Sequence, residues 1–402
     1  MNKKGSMLIL TIFVVVILLI LGAALIARSI SEHNLAKKYL ESTHAFWAAE
    51  AGANRALKEL RSNYNQSGTG LWLSSMGEGE YSVDVVIEGQ NRRVTAHGFI
   101  PSMSGARTQR SIEVLIKSQY ASAFRYAAFA NNSVTLNSNA KTDSYDSSLG
   151  AYDPNNPNHN GDVGTNGTSV VLDSNAQIDG DTGTGPGGSV TLESNAVVTG
   201  QITNDINREL SSVEVPSSLV NLGSGGNYSE NSGSHTISSG DYQYNSFTLD
   251  SNAEVIIDGQ VNLYLTAADI SFNLESNSEI KLNPGAKLII YVDGKYGVNS
   301  NAKVNAGGLP TNVIVYSTYS GSGDGVGLDS NGDFNGAIYA PDARISLNSN
   351  AKVYGSVVGK TVDIDSNAKI HYDENLVNVE SGLIRYVVQS WKEQVNPYQL
   401  TP

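Results

Sequence analysis

The sequence predicts a mainly β protein: a long N-terminal α-helix, a small α+β unit and then a parallel β-helix, or solenoid. Three observations predict it. Residues 7–27 carry no charge. Residues 62–120 alternate apolar and polar side chains. A five-residue motif recurs nine times after residue 135, ending in S-N-A in seven copies and in S-N-S or S-N-G in the other two. The boundaries that follow are a helix over 6–60, a strand region over 61–120, a solenoid over 121–375 and a C-terminal capping segment over 376–402.

Composition agrees with this class. The chain has 402 residues, 40 glycines, 16% charged residues and no cysteine. Without cysteine there is no disulfide scaffold, no thiolate metal site and no cysteine nucleophile. Residues 1–120 carry 13 Lys/Arg against 9 Asp/Glu, while residues 121–402 carry 13 against 30. The acidic C-terminal part repels phosphates, so nucleic acid is not an expected partner.

Met7–Ala27 is long enough to cross the hydrocarbon core of roughly 30 Å. Lys3 and Lys4 precede it and Arg28 follows it. The positive-inside rule favours a cytoplasmic N-terminus, a single membrane pass and a bulk outside the cytoplasm. A cleaved secretory signal is the alternative, but the apolar run exceeds an h-region and no A-x-A site ends it. Helical spacing continues through Leu35, Tyr39, Leu40, Phe46, Trp47, Ala51, Ala56, Leu57 and Leu60. A helix over 6–60, transmembrane and then amphipathic, would be roughly 80 Å long.

Two segments carry a resemblance. Lys3-Lys4-Gly5-Ser6 before an aliphatic run resembles a class III leader, and Ala45-Phe46-Trp47-Ala48-Ala49-Glu50-Ala51-Gly52 resembles the N-terminal segment of PilX-type minor pilins and pseudopilins. The resemblance covers about 60 residues. It implies a leader peptide over 1–5 and processing between Gly5 and Ser6 by a prepilin peptidase. Implied partners are other pilins or pseudopilins and inner-membrane assembly proteins, with residence at the cell surface or in a pilus after assembly. One position departs from major pilins. The fifth residue counted from Ser6 is Leu10, where major pilins carry Glu. A subunit lacking that carboxylate fits a tip or an initiating complex better than a repeating shaft.

Strands are expected at Tyr81–Ile87, around Arg92–His97 and at Ser111–Ile116; with one helix face they make a small α+β unit, as in pilin headgroups. The repeat then begins. Its asparagines are Asn139, Asn175, Asn195, Asn252, Asn277, Asn301, Asn331, Asn350 and Asn367, separated by 36, 20, 57, 25, 24, 30, 19 and 17 residues. Coils of about 17–25 residues, two or three in the longest gaps, would stack in chain order into about 12 coils. Leu and Ala of each motif point inward. Asn takes the left-handed bend and ladders with the Asn above and below. The residue before Ser faces solvent. The tract also resembles a repeat domain of unknown function joined to PilX-type N-termini and, more distantly, bactofilins. Asn378–Gln394 is expected to form a helix capping the last coil.

Chemistry is sparse. Gly355-Ser356-Val357-Val358-Gly359-Lys360-Thr361 misses the phosphate-loop spacing, because Tyr354 stands where Gly is needed. Asn156, Asn158, Asn160 and Asp162 mimic half of an EF-hand loop, without the closing Glu. Asp324, Asp329 and Asp333 form a second acidic, Gly-rich loop. Both are candidates for weak calcium binding, with a solvated loop as the plain alternative. The histidines are dispersed, and no basic residue is seen to recur beside the acidic ones. The reading is therefore not an enzyme, without cofactors, presenting its rod as tip, spacer or adhesin to a surface or glycan ligand. Two alternatives stay open: a polysaccharide-acting β-helix enzyme, and a membrane-anchored polymer-forming scaffold.

Overall fold

A computed structural model describes residues 3–62, 66–88, 91–120, 122–379 and 384–394. The chain divides into two units, one of residues 1–119 and 384–402, the other of residues 120–383.

The first unit is one helix and one sheet. Helix α1 (Lys3–Ser62) is unbroken. Over residues 11–27 its apolar half is exposed apart from Gly22, with Phe13 62%, Leu19 67% and Ile26 64% accessible. By length and composition it can cross a membrane. Its second half buries Ala45, Ala48, Ala49, Ala53, Ala56 and Leu60. Small side chains there let the helix axis come close to the sheet. At the closest point Gly98 lies under α1, where a Cβ would stand 2.0 Å from the Ala45 carbonyl oxygen. The sheet consists of β1 (Gly68–Met76), β2 (Gly79–Glu88), β3 (Asn91–Ile100) and β4 (Thr108–Tyr120), antiparallel and in chain order. Val83, Val85, Val94, Ala96, Ile112, Val114 and Ile116 form its buried face against α1.

The fifth strand corrects the expected C-terminal helix. Ile384–Gln394 is a strand, and it lies beside β4. Its Ile, Tyr, Val and Trp content suits a half-buried pleat better than a helix. Glu113 on β4, 4% exposed, anchors it by accepting from Lys392 Nζ at 2.9 Å and Gln394 Nε2 at 2.7 Å. Glu393 pairs with Arg110. The solenoid is thus inserted between two adjacent strands of the first unit's sheet. Among the described residues no helix caps the last coil; a 3₁₀ turn, Glu374–Asn378, follows it.

The second unit is a parallel solenoid. Each Leu-x-S-N-A corner turns on an asparagine with φ between 60° and 68°. The leucines and alanines face inward; Leu136, Leu172, Leu249, Leu274, Leu328, Leu347, Ala140, Ala176, Ala302, Ala351 and Ala368 are fully buried. Aromatic rings stack on successive coils inside: Tyr228 on Phe247 at 4.5 Å, Phe247 on Phe272 at 5.5 Å, Phe272 on Tyr296 at 4.3 Å.

The coils do not stack in chain order. The Asn367 amide donates to the Ser138 carbonyl at 3.2 Å, so the last corner sits directly on the first. Strand pairing gives the full order of corners: 252, 277, 301, 331, 350, 367, 139, 175, 195. The chain enters in mid-stack and builds three coils to one end. It then crosses to the far end and fills the stack back to its entry point. Residues 204–226 make the crossing. Ile206, Leu210 and Val213 pack on the core, and the Ser211 carbonyl accepts from Tyr339 Oη at 2.6 Å. Farther along, the Gly225 amide donates to the Gln243 carbonyl at 2.7 Å. The long gaps therefore hold this strap and two surface loops, with one degenerate corner at 231–233, and the stack has ten rungs in place of about twelve.

Candidate functional site

The sequence-derived candidates scatter. Gly5 and Ser6 lie in the first turns of α1, where only the backbone is described. The half EF-hand does not converge on a cation. Asn158 and Asn160 both turn their amide nitrogens to Glu374 Oε1, at 3.0 and 2.9 Å, while the Asp162 carboxylate accepts from the Asp181 amide at 2.7 Å. Asn156 makes a backbone turn onto Asp153. The second loop disperses as well. Asp324 pairs with Arg344 at 3.3 Å, Asp329 accepts from Asn348, and Asp333 lies 4.0 Å from Lys352. Among the described residues no group of three His, Cys, Asp or Glu could hold a metal ion.

The corner asparagines ladder through their backbone. Their amides donate to the serine carbonyl of the next rung at 3.0–3.3 Å, as from Asn175 to Ser194 and Asn350 to Ser366. A side-chain bond between corner asparagines joins Asn195 to Asn175 at 3.3 Å. The residue before Ser does not simply face water. Asn348 bonds to Asp329 and Asn137 to Asp365 across rungs. From Asn299 to Asp173 Asn alternates with Asp, which keeps carboxylates on those rungs from facing each other; at the ends of the stack Asp250 adjoins Glu275 and Asp173 adjoins Glu193.

A cleft of about 650 Å³ is the most built feature of the unit. It lies where two loops leave the rungs. Residues 146–160 depart between the corners at 139 and 175; residues 305–312 depart between those at 301 and 331. Insertions in solenoids commonly gather on one binding face. The floor is the outward face of three neighbouring rungs. Asp333, Lys352 and Lys369 stand in register across it, and the row runs on to Lys141, which lies beyond the cleft and lines an adjoining hollow with Lys352 and Lys369. Two residues further along the strands comes Tyr354, His371, Asp143, also in register.

The first loop roofs that second row and is held at three points. Ser147 donates from its amide and hydroxyl to Asp373, at 2.9 and 2.7 Å. Asn158 and Asn160 hold the far end on Glu374. In the middle, Tyr152 Oη donates to Asp143 Oδ2 at 2.9 Å, and its ring lies on His371 with centroids 3.9 Å apart. Tyr354 extends the aromatic patch, 5.0 Å from His371 and 5.8 Å from Tyr152.

The electrostatics are settled on one side only. Asp143 is fully buried beneath the roof. Burial alone would raise its pKa. The hydrogen bond and charge of His371, the Tyr152 hydroxyl and the charge of Lys141 outweigh it and hold the carboxyl below its ordinary value. His371 Nδ1 is 2.6 Å from Asp143 Oδ1 and Lys141 Nζ is 3.4 Å from Oδ2. The carboxylate is saturated and closed in, which suits a structural anchor and not a general base. The Asp373 carboxyl is raised by burial. On the floor, among the described residues, no carboxylate comes within ion-pair distance of Lys369.

Sequence reasoning missed this site. A signal was present: S-N-A-K recurs at 138–141, 300–303, 349–352 and 366–369. Two residues after two of those lysines stand Tyr354 and His371. Only the stacking order makes three of the four lysines neighbours.

Residues 186–379 match a family model described as "Domain of unknown function (DUF7305)". A search of curated proteins finds no match. Among solved structures, the chain is similar to an ice-binding protein from the Antarctic ascomycete Antarctomyces psychrotrophicus. That alignment has 16% identity and a TM-score of 0.28, and covers 63% of this chain and 97% of the other. It is also similar to the competence-associated pilin ComZ from Thermus thermophilus, with 11% identity and a TM-score of 0.24, covering 88% of this chain and 97% of the other.

Proposed function

We propose that this chain is a minor pilin or pseudopilin of a type IV pilus-like system that presents a β-solenoid outside the cytoplasm. The observation that carries the reading is α1. One unbroken 60-residue helix exposes a membrane-length apolar half and docks its other half, through alanines, on a small antiparallel sheet. Such a helix can wait in a bilayer and later pack against like helices. A prepilin peptidase cuts between Gly5 and Ser6, and Ser6 becomes the N-methylated start of the mature chain. The partners are other pilins or pseudopilins and the inner-membrane assembly proteins. The place is a tip or an initiating complex, since Leu10 offers no carboxylate to a neighbouring N-terminal amine. The solenoid serves as spacer or adhesin, binding and not turning over its ligand, because the two carboxylates buried beneath the roof, Asp143 and Asp373, are already engaged by protein groups. No cofactor is involved.

Intact-mass and N-terminal mass spectrometry of the protein from its native cells tests this. A chain starting at methylated Ser6 is expected. A chain that retains Met1–Gly5 overturns the pilin reading and leaves an anchored solenoid.

A further inference from the structure

We propose that the cleft roofed by residues 146–160 binds an acidic polysaccharide, with Lys352 and Lys369 on its floor and Lys141, in the adjoining hollow, continuing a stepped row of cationic contacts. The second unit, residues 120–383, holds 11 Lys/Arg against 29 Asp/Glu. Three of those eleven cations stand side by side on consecutive rungs. Like charges directly opposite on neighbouring strands are destabilising. The outer two lysines have partial relief, Lys141 from Asp143 at 3.4 Å and Lys352 from Asp333 at 4.0 Å. The central one, Lys369, has none among the described residues. The counter-charge it lacks is the first mark of an anionic ligand.

A second mark is independent of charge. Asn335 lines the same cleft and is 5% exposed, yet its amide oxygen has no hydrogen-bond donor. A buried acceptor without a partner costs free energy, which a ligand hydroxyl offsets. The third mark is the aromatic patch of Tyr152, Tyr354 and His371 beside the lysines. His371 is buried beneath Tyr152, so the half-buried rings of Tyr152 and Tyr354 are the ones that receive the C–H faces of pyranoses, while hydroxyls reach the polar rim.

The repeat of the site selects a polymer. Rungs advance by about 4.8 Å, so the lysines form a row of evenly stepped charges that a single small anion cannot span. Ammonium groups act as point charges and suit carboxylate or sulfate alike. Nucleic acid is a polyanion that would meet the same lysines, and its tighter binding is an outcome against the proposal. The inference concerns the second unit alone, so it stands or falls separately from the filament reading.

The test is isothermal titration calorimetry on the full chain in detergent, with a panel of carboxylated and sulfated hexasaccharides. A neutral hexasaccharide, free galacturonate and a single-stranded DNA oligomer are titrated alongside. At least one acidic hexamer should bind, and the neutral hexamer and the monosaccharide should not. Lys369→Ala should weaken that binding by about tenfold or more and flatten its salt dependence. Lys369→Arg should retain it. Lys303→Ala, beyond Asp333 on the same row, should leave it unchanged, and thermal melts of all variants should match the parent. Binding by no acidic hexamer, equal binding of the neutral one, tighter binding of DNA, or indifference to Lys369→Ala would each overturn the proposal.

Discussion

Leucine truncation along the stack separates the two ways in which these coils could be ordered. Leu136, Leu172 and Leu192 occupy the same inward position on three successive rungs, in register. In the observed order Leu136 is interior, because the rung of Ile364 covers it, and Leu192 is terminal. Their exposures follow: 0%, 0% and 44%. Stacking in chain order would reverse this, with Leu136 at an end and Leu192 inside. A buried Leu→Ala change costs about 2.7–5.0 kcal/mol, through lost transfer energy and the cavity left behind. Leu192 keeps nearly half its surface in water and would leave an open notch, so about 1 kcal/mol is expected. In a unit of this size each kcal/mol moves the unfolding midpoint by about 2 °C, or slightly more. Calorimetry of the full chain in detergent should therefore show Leu136→Ala and Leu172→Ala lowering the midpoint by about 6–8 °C and Leu192→Ala by about 2 °C. A Leu192→Ala loss as large as that of Leu172→Ala, or a small loss for Leu136→Ala, would refute the split stack.

Two further outcomes follow from the geometry. Gly98→Val places a side chain where a Cβ already stands 2.0 Å from the Ala45 carbonyl, so α1 must lift from the sheet. Limited proteolysis should then cut within residues 45–60 at least tenfold faster, the loss of about 1.4 kcal/mol or more of docking; unchanged cleavage would contradict the close approach. The Asp143 carboxyl, held below its ordinary value, contributes stability that is present above the unfolded-state value of about 3.9 and is lost as pH falls through the lower folded value. Between roughly pH 5 and pH 3 the unfolding midpoint should fall more steeply for the parent than for Asp143→Asn. Equal slopes would mean that His371 and Lys141 do not stabilise the charged form.

The C-terminal segment shows how close alternatives were decided. Read alone, Asn378–Gln394 suggests a helix, whereas Ile384–Gln394 is a strand. Glu113, buried on β4 and offering its carboxylate to Lys392 and Gln394, tips it to a strand. That partner is some 280 residues away in the chain, beyond any local pattern. The calcium candidates disperse for a related reason. Asn158 and Asn160 are spaced as ligands, but Glu374, brought alongside by stacking, turns their amide nitrogens inward to itself.

The sequence alone determined the membrane-length helix, the antiparallel strands and the solenoid with its asparagine corners. Each rests on short-range physics: hydrophobic length, alternation along a strand, and the tolerance of Asn for a left-handed bend. Only the tertiary structure decided which rung lies on which. Every rung offers its neighbours nearly the same edge of backbone groups and the same Leu and Ala columns. No twenty-residue pattern therefore names its own partner. The strap at 204–226 and the burial of Leu136 under the rung of Ile364 made that choice. The three neighbouring lysines, and the cleft that Lys352 and Lys369 floor, exist only because of it.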